Sequence, residues 1–165
     1  MGRPTSPGTD SVVGVSGYET LVLLHILGAC IWIGAGVLAA GLGIQAARTG
    51  DGAQIVAYAR QGRIVGVVVG VASLLLIVFG VWAALDADID FGATWISTGL
   101  TAWLVAFVIA ALFYGPYARR IRAAIAADGP GSPAVTRLLR IRLGVSALEI
   151  VVLLVGLWAM VAKPA

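Results

Sequence analysis

Histidine and cysteine are scarce in this sequence, with one of each, His25 and Cys30, among 165 residues. A single cysteine excludes an intramolecular disulfide framework and a Cys-x-x-Cys metal or redox motif. A single histidine excludes haem ligation by two histidines of one chain. Because the sequence also has no Ser-His-Asp arrangement, phosphate-binding glycine loop or paired-carboxylate pattern, hydrolytic chemistry has no support.

Charged residues are also few, at 12% of the chain, where ordinary soluble domains carry roughly 25%. Hydrophobic residues make up 60%, and the mean hydropathy is +1.00. This composition excludes an ordinary soluble domain and predicts a polytopic membrane protein. The 22 glycines are typical of helices that pack closely in a membrane.

Four apolar segments are each long enough to cross a bilayer as a helix. They run roughly over residues 19–47, 64–85, 94–117 and 142–161. The intervening segments are a polar loop at 48–63, with a short interfacial helix near Ile55 and Ala59, an acidic loop at 86–90, and a Gly-Pro break at 129–133. The predicted fold is therefore all-α: a disordered polar tail at 1–17, then one four-transmembrane-helix bundle at 18–165, with both termini outside.

Nine of the ten arginines lie in or beside the first and third loops. The positive-inside rule predicts that these loops are cytoplasmic, which fits a multi-pass protein of a bacterial inner (plasma) membrane. The sequence pI of about 9.5 does not indicate nucleic acid, because arginines at the ends of spans anchor to lipid headgroups. Membrane lipids are the predicted partners.

His25 is the strongest candidate for a functional residue in the first span. On a helix its face carries mainly small residues, such as Gly28, Gly36 and Gly43, so the ring points towards neighbouring helices. It is predicted to act as a ligand to a metal or haem iron, or as a proton-transfer group. The structural alternative is a hydrogen bond to Thr98, Thr101 or Glu19.

Counting about 1.5 Å per helical residue puts His25 roughly level with Trp158 and Met160. Histidine with methionine suits copper or haem iron, so Met160 is a candidate second metal ligand, although it is also an ordinary apolar filler. Trp32 and Trp158 are candidate cofactor-binding residues near His25. Their alternative roles are core packing and the interfacial aromatic belt.

Glu149 shares a helix stripe with Arg142, Ser146 and Gly156, so it is predicted to face the bundle. An intramembrane acid is a functional hypothesis by default, here proton or small-solute transfer. Alternatively, it snorkels towards Arg142, Arg140 or water, or hydrogen-bonds Ser73 at the same depth. The axial count separates His25 from Glu149 by roughly 20 Å, which predicts two separate sites.

The run Leu24-His25-x6-Trp32-Ile33-Gly34 resembles the helix of the copper-resistance protein D superfamily in which a histidine precedes Trp-x-Gly. The similarity continues at Arg63, Gly80-Val81-Trp82, Trp95 and Arg140-x-Arg142 with Glu149. An uncharacterised bacterial four-span integral-membrane family of that superfamily is more similar still, because its last helix also ends in a Met and a Lys-Pro. The HemJ-type protoporphyrinogen oxidase is a more distant resemblance.

This resemblance implies copper or haem handling, with His25 as the ligand. The chain departs from it in lacking the further histidines, methionine clusters and extra spans of a copper permease or haem oxidase. An enzyme is therefore the less favoured reading. The alternative function is a non-catalytic accessory or partner-binding subunit, in a homo-oligomer or a larger membrane complex.

Overall fold

The computed structural model describes residues 16–163, which form four long helices and no strand. The elements are α1 (Gly17–Thr49), α2 (Gly52–Asp86), α3 (Thr94–Ile109), a π-helical turn (Ala110–Tyr114), α4 (Gly115–Asp128) and α5 (Pro133–Ala162). Since α3, the π turn and α4 continue as one rod, the predicted four-helix bundle is confirmed. The predicted tail at 1–17 lies outside the described residues except for Ser16 and Gly17.

All four helices are apolar enough and long enough to cross a membrane. The 33 residues of α1 extend about 50 Å, and the hydrocarbon core of a bilayer is roughly 30 Å thick. α1 begins at a capping box, in which the Ser16 hydroxyl accepts from the Glu19 N–H and the Glu19 carboxylate accepts from the Ser16 N–H. The helices therefore extend well beyond the bilayer.

The prediction of a polar loop at 48–63 is wrong, although the helix predicted near Ile55 and Ala59 does form, as the beginning of α2. The turn consists only of Gly50 and Asp51, and the following residues begin α2. Gly50 ends α1 with a positive φ of 64°, and the Asp51 carboxylate caps α2. The segment is polar overall, but Ile55 and Tyr58 lie three residues apart, on one face of a helix, and both are buried. Burial of this apolar face stabilises the helix.

We call the end of the bundle that carries this turn and the turn between α4 and α5 the arginine end. It has its own hydrophobic core, contributed by α1, α2, α4 and α5. The core residues are Ala46, Ile55, Tyr58, Ala59, Tyr117, Ile121, Val135 and Leu139. The helix ends that protrude from the membrane are thus packed against one another rather than free.

The bundle is built from two closely packed helix pairs. α1 packs along α2, α3 packs along α5, and contacts between α1 and α5 join the two pairs. In contrast, α2 and α3 touch at few positions. The outer surface is strongly apolar, as at Leu38 (65% exposed) and Leu112 (71% exposed), so this multi-pass protein contacts lipid along its helices.

The α1–α2 pair approaches most closely at Gly28. A Cβ atom at that position would lie 2.8 Å from the backbone N of Leu76 and 2.9 Å from the carbonyl oxygen of Ala72. Both are backbone atoms of α2, which cannot move without displacing the helix. The missing side chain therefore sets the spacing of this pair.

Replacing Gly28 with alanine is expected to reduce the free energy of unfolding by about 1–3 kcal/mol, the usual cost of overpacking. Gly34→Ala is the matched control on the same helix, because a Cβ at Gly34 meets nothing within 4 Å. Reversible unfolding in mixed detergent micelles measures both variants. Equal stability of the two would contradict the close approach at Gly28.

Candidate functional site

A cavity of about 790 Å³ lies between the helix pairs and opens at the arginine end. We call it the arginine cavity because its mouth carries four exposed arginines, Arg60, Arg63, Arg119 and Arg122, while a fifth, Arg142, lies deeper. Its inner part is lined by less polar groups and ends near Trp32, Ser73 and Phe107. The cavity therefore passes from a basic mouth to a mainly apolar interior.

Arg142 is buried in the wall of this cavity, with 7% of its surface exposed. Its guanidinium lies over the ring of Tyr58, 4.6 Å from the centroid, and 5.7 Å from the ring centroid of Tyr114. Its Nη1 atom is buried and has no hydrogen-bond partner among residues 16–163. An added Cβ at Gly62 would lie 3.7 Å from Nη1 and Nη2, in van der Waals contact, so the absence of a side chain there leaves space beside the guanidinium.

Glu149 lies on the same stripe of α5 and is 6% exposed. Trp32 of α1 donates its indole N–H to Oε1 of Glu149 at 3.1 Å, and the Tyr114 hydroxyl donates to Oε2. Both carboxyl oxygens therefore already have a protein donor. These two bonds connect α1, the π turn and α5 across the cavity wall.

The π turn explains how Tyr114 reaches Glu149. Pro116 follows the turn and has no N–H to donate to the carbonyl of Leu112, and its ring would clash with that carbonyl in an α-helix. A π turn at Ala110–Tyr114 relieves this conflict by widening the helix. As a result, the Tyr114 side chain faces α5 and reaches the Glu149 carboxylate.

Ser73 also lines the arginine cavity, but it is not bonded to Glu149. Its carbonyl oxygen and its hydroxyl oxygen both accept from the Trp103 indole N–H, at 3.3 and 3.2 Å. Trp103 in turn stacks on Phe107, with ring centroids 5.2 Å apart. Ser73 thus holds α2 to α3 at the inner end of the cavity.

The arginine cavity also opens sideways, between α2 and the π turn. Four of its lining residues are exposed at this point, Gly66 and Val67 on one side and Ala111 and Gly115 on the other. We call this gap the α2–α3 opening. It lies beside the stretch over which α2 and α3 touch at few positions.

His25 lines a second, separate cavity of about 130 Å³ towards the opposite end of the bundle. Its Nδ1 lies 2.7 Å from the carbonyl oxygen of Leu76. A carbonyl can only accept, so Nδ1 carries the proton, and in the neutral ring Nε2 keeps its lone pair. The ring packs on Gly80, where an added Cβ would lie 2.7 Å from Cε1.

All but one of the predicted site residues line one of these two cavities. We call the second cavity, which His25 lines, the histidine cavity. Met160 also lines it and packs on Gly99 there. Trp32 lines the arginine cavity instead, and Trp158 is 59% exposed and lines neither of these two cavities. In the described part of the chain, no three His, Cys, Asp or Glu side chains group together as a metal site.

The hydrogen bond that His25 makes differs from the ones that the sequence suggested. Thr98 and Thr101 donate to carbonyl oxygens of their own helix, at Thr94 and Ser97, and the carboxylate of Glu19 caps α1. The acceptor is instead a backbone carbonyl of the neighbouring helix, a group that every residue possesses. No side-chain pattern in the sequence marks it.

Tyr58 and Tyr114 are not among the predicted site residues, and Arg142 is predicted only as a neighbour of Glu149. One signal was available for Arg142, which lies seven residues before Glu149 and therefore on the same helix face. Pro116 inside an apolar span was a second signal, because it marks a distortion of the helix. Nothing in the sequence indicates that Tyr58 lies under the guanidinium.

Comparison with known proteins identifies one family. The family model described as "Predicted integral membrane protein (DUF2269)" matches residues 19–164, which is most of the chain. Searches of curated proteins and of solved structures gave no match.

Proposed function

This chain belongs to the DUF2269 family of predicted integral membrane proteins, and we propose that it binds an anionic ligand in the arginine cavity. The observation that carries the proposal is the buried Arg142, whose Nη1 has no partner among the described residues. The ligand would carry a phosphate or a carboxylate, the groups that match the planar guanidinium fork. The function is one of binding, without a catalytic role for the cavity.

A buried guanidinium without a partner is costly, because desolvation of its charge and its N–H groups is not repaid. The faces of Tyr58 and Tyr114 repay part of the desolvation of the charge through cation–π contacts, but they accept no hydrogen bond in the plane of the guanidinium. Glu149 has both oxygens engaged by Trp32 and Tyr114. An anion in the cavity would supply the missing acceptor.

The four exposed arginines at the mouth support the same proposal. Arg60 and Arg63 come from α2, and Arg119 and Arg122 come from α4, so two elements of the bundle surround the entrance with positive charge. Clefts lined by charge of one sign concentrate ligands of the opposite sign. A volume of about 790 Å³ lies within the roughly 300–1,000 Å³ of cavities that hold small ligands.

Thermal unfolding of the purified protein tests this function with hexyl phosphate, a water-soluble alkyl phosphate. We expect its midpoint to rise with ligand concentration, since a ligand at 100 times its Kd stabilises the folded state by about 2.7 kcal/mol. Hexanol is the uncharged control of equal chain length and should have no such effect. The proposal fails if the two compounds act alike or if neither shifts the midpoint.

We also propose that the arginine end faces the cytoplasm of a bacterium and that the protein lies in the inner membrane. The support is the distribution of arginine at one end, against Asp86, Asp88 and Asp90 at the other. The cavity would then open towards the cytoplasm. Labelling of single cysteines placed at each end, in a Cys30→Ser background, tests this orientation.

Copper binding by His25 and Met160 is a second candidate function, and it is favoured by one observation. The hydrogen bond from Nδ1 to the Leu76 carbonyl leaves Nε2 free to ligate, and metal-binding histidines commonly donate their other nitrogen in this way. Met160 lines the same cavity. Imidazole and thioether are donors that suit copper, so these two residues would hold it.

Haem does not fit the histidine cavity. The histidine cavity measures about 130 Å³, below the roughly 300–1,000 Å³ of pockets for small organic ligands, and haem is a large ligand. Trp32 and Trp158, the predicted cofactor-binding tryptophans, are not among the residues that line it. The resemblance to haem-handling proteins therefore has no matching cavity at His25.

Copper analysis of the purified protein after incubation with copper(I) tests the second candidate. We expect copper to be retained by the unaltered protein and lost in His25→Ala and in Met160→Leu. Trp158→Phe is the control, because Trp158 is exposed and outside the histidine cavity. Unchanged copper content in both ligand variants, or none in the unaltered protein, would rule it out and leave anion binding unaffected.

An accessory subunit, the alternative that the sequence suggested, is compatible with either kind of binding. Its support is the apolar outer surface and the absence of catalytic patterns from the sequence. Native mass spectrometry of gently solubilised membranes tests it. A homo-oligomer or a larger complex is the expected result under this alternative, and a lone monomer opposes it.

A further inference from the structure

We propose that the ligand of the arginine cavity is a phosphate-bearing lipid that enters from the bilayer through the α2–α3 opening. This inference rests on the proposed function, because it requires an anion at Arg142. It adds the class of ligand and its route. In the bound state the phosphate lies against the guanidinium, and the alkyl chains extend through the opening into the membrane.

The α2–α3 opening faces lipid. Val67 borders it and is 63% exposed, and Leu112, beside Ala111 of the π turn, is 71% exposed. Both belong to helices that are long and apolar enough to span a membrane. A side opening bordered by such residues connects the cavity with hydrocarbon rather than with water.

Small residues keep the opening clear. Gly66 lies on α2, and an added Cβ there would meet nothing within 4 Å. Ala111 lies on the other side, in the π turn, and is also exposed. Because neither residue has a side chain beyond a methyl group, an alkyl chain can pass between them.

The chemistry of the cavity changes along its length in the way that an amphiphile requires. Arg142 lies nearer the arginine end, and residues such as Val69 and Phe107 line the inner part. A free inorganic anion would use only the basic part. A lipid phosphate with an attached chain fits both the basic part and the apolar side opening.

Access by a lipid also explains why the basic part extends so deep. On α5, Arg142 lies nine residues after the helix begins at Pro133, about 14 Å along the axis. Arginines that only anchor the protein lie at span ends, where water and headgroups solvate them. Arg142 is instead buried in the wall of the arginine cavity, where it would contact the phosphate of a lipid inside the cavity.

Native mass spectrometry with added phosphatidic acid tests this inference. We expect the unaltered protein to retain phosphatidic acid in preference to phosphatidylcholine of the same chains. Gly66→Phe, and separately Ala111→Phe, should fill the opening and reduce phosphatidic acid retention at least tenfold. Gly34→Phe is the matched control, because Gly34 is exposed, has open space and lies outside both cavities.

Hexyl phosphate distinguishes this inference from the proposed function, since it reaches Arg142 from water at the arginine end. It should stabilise the unaltered protein and the Gly34→Phe control alike. If hexyl phosphate binds but phosphatidic acid does not, or if both opening variants retain the lipid fully, the lipid route is wrong and anion binding stands. If neither compound binds, the proposed function itself fails.

Discussion

Replacing Arg142 with glutamine is expected to weaken hexyl phosphate binding by at least about 30-fold, because losing one partner of a buried charge pair costs roughly 2–5 kcal/mol. Glutamine keeps some hydrogen-bonding capacity but removes the charge and the fork geometry. Arg140→Gln is the matched control, since Arg140 is exposed on the same helix and lies outside the arginine cavity. It should change the affinity by less than about twofold, as expected for a surface charge.

Two further measurements separate a binding role of Arg142 from a structural one. The ligand-free Arg142→Gln protein should unfold at a midpoint no lower than the unaltered protein, because the replaced group is a buried charge whose Nη1 has no partner among residues 16–163. Arg142→Lys should recover part of the affinity through its charge. A large loss of stability in Arg142→Gln, with lost binding explained by unfolding, contradicts the account.

The second large effect is expected at Glu149. Glu149→Ala leaves the buried donors of Trp32 and Tyr114 without their acceptor, so the free energy of unfolding should fall by about 2–4 kcal/mol. Glu149→Gln keeps one carbonyl acceptor, and its amide can donate to the Tyr114 oxygen. We therefore expect the glutamine variant to lose less than half as much.

Unfolding in mixed micelles measures both variants, and Trp32→Phe completes the comparison. That variant removes one donor and little volume, so its effect should be smaller in the Glu149→Ala background than alone. Additive effects of the two substitutions would show that the indole N–H and the carboxyl group do not interact. Equal stability of the Glu149→Ala and Glu149→Gln variants would show that the hydrogen bond from Tyr114 to Glu149 does not stabilise the protein.

Much of the fold follows from the sequence, and the exception is the segment from Arg48 to Arg63. Apolar runs of about 20 residues specify spans because only a helix satisfies its backbone in lipid. Hydropathy alone cannot separate a polar loop from an amphipathic helix, so the sequence predicts only a short interfacial helix within a loop from Arg48 to Arg63. The segment is helical because Ile55, Tyr58 and Ala59 are buried in a core with residues of α4 and α5. This packing is tertiary, so hydropathy along the sequence does not predict it.

The candidate site was only partly visible in the sequence. Helical spacing indicates that Arg142 and Glu149 share one face, and the axial count separates His25 from Glu149. The same count gives depth but no rotation about the axis, so Trp158, though level with His25, points outward. The α2–α3 opening arises because α2 and α3 touch at few positions, which no local pattern encodes.

Photo-crosslinking with a hexyl phosphate analogue that carries a diazirine, followed by peptide mapping, tests the central claim most directly. We expect labels on the arginine-cavity wall, such as Val69 and Phe107, and their loss in Arg142→Gln but not in Arg140→Gln. Labels confined to the outer surface, such as Leu38 and Val37, or labelling of the cavity that persists without Arg142, would contradict it.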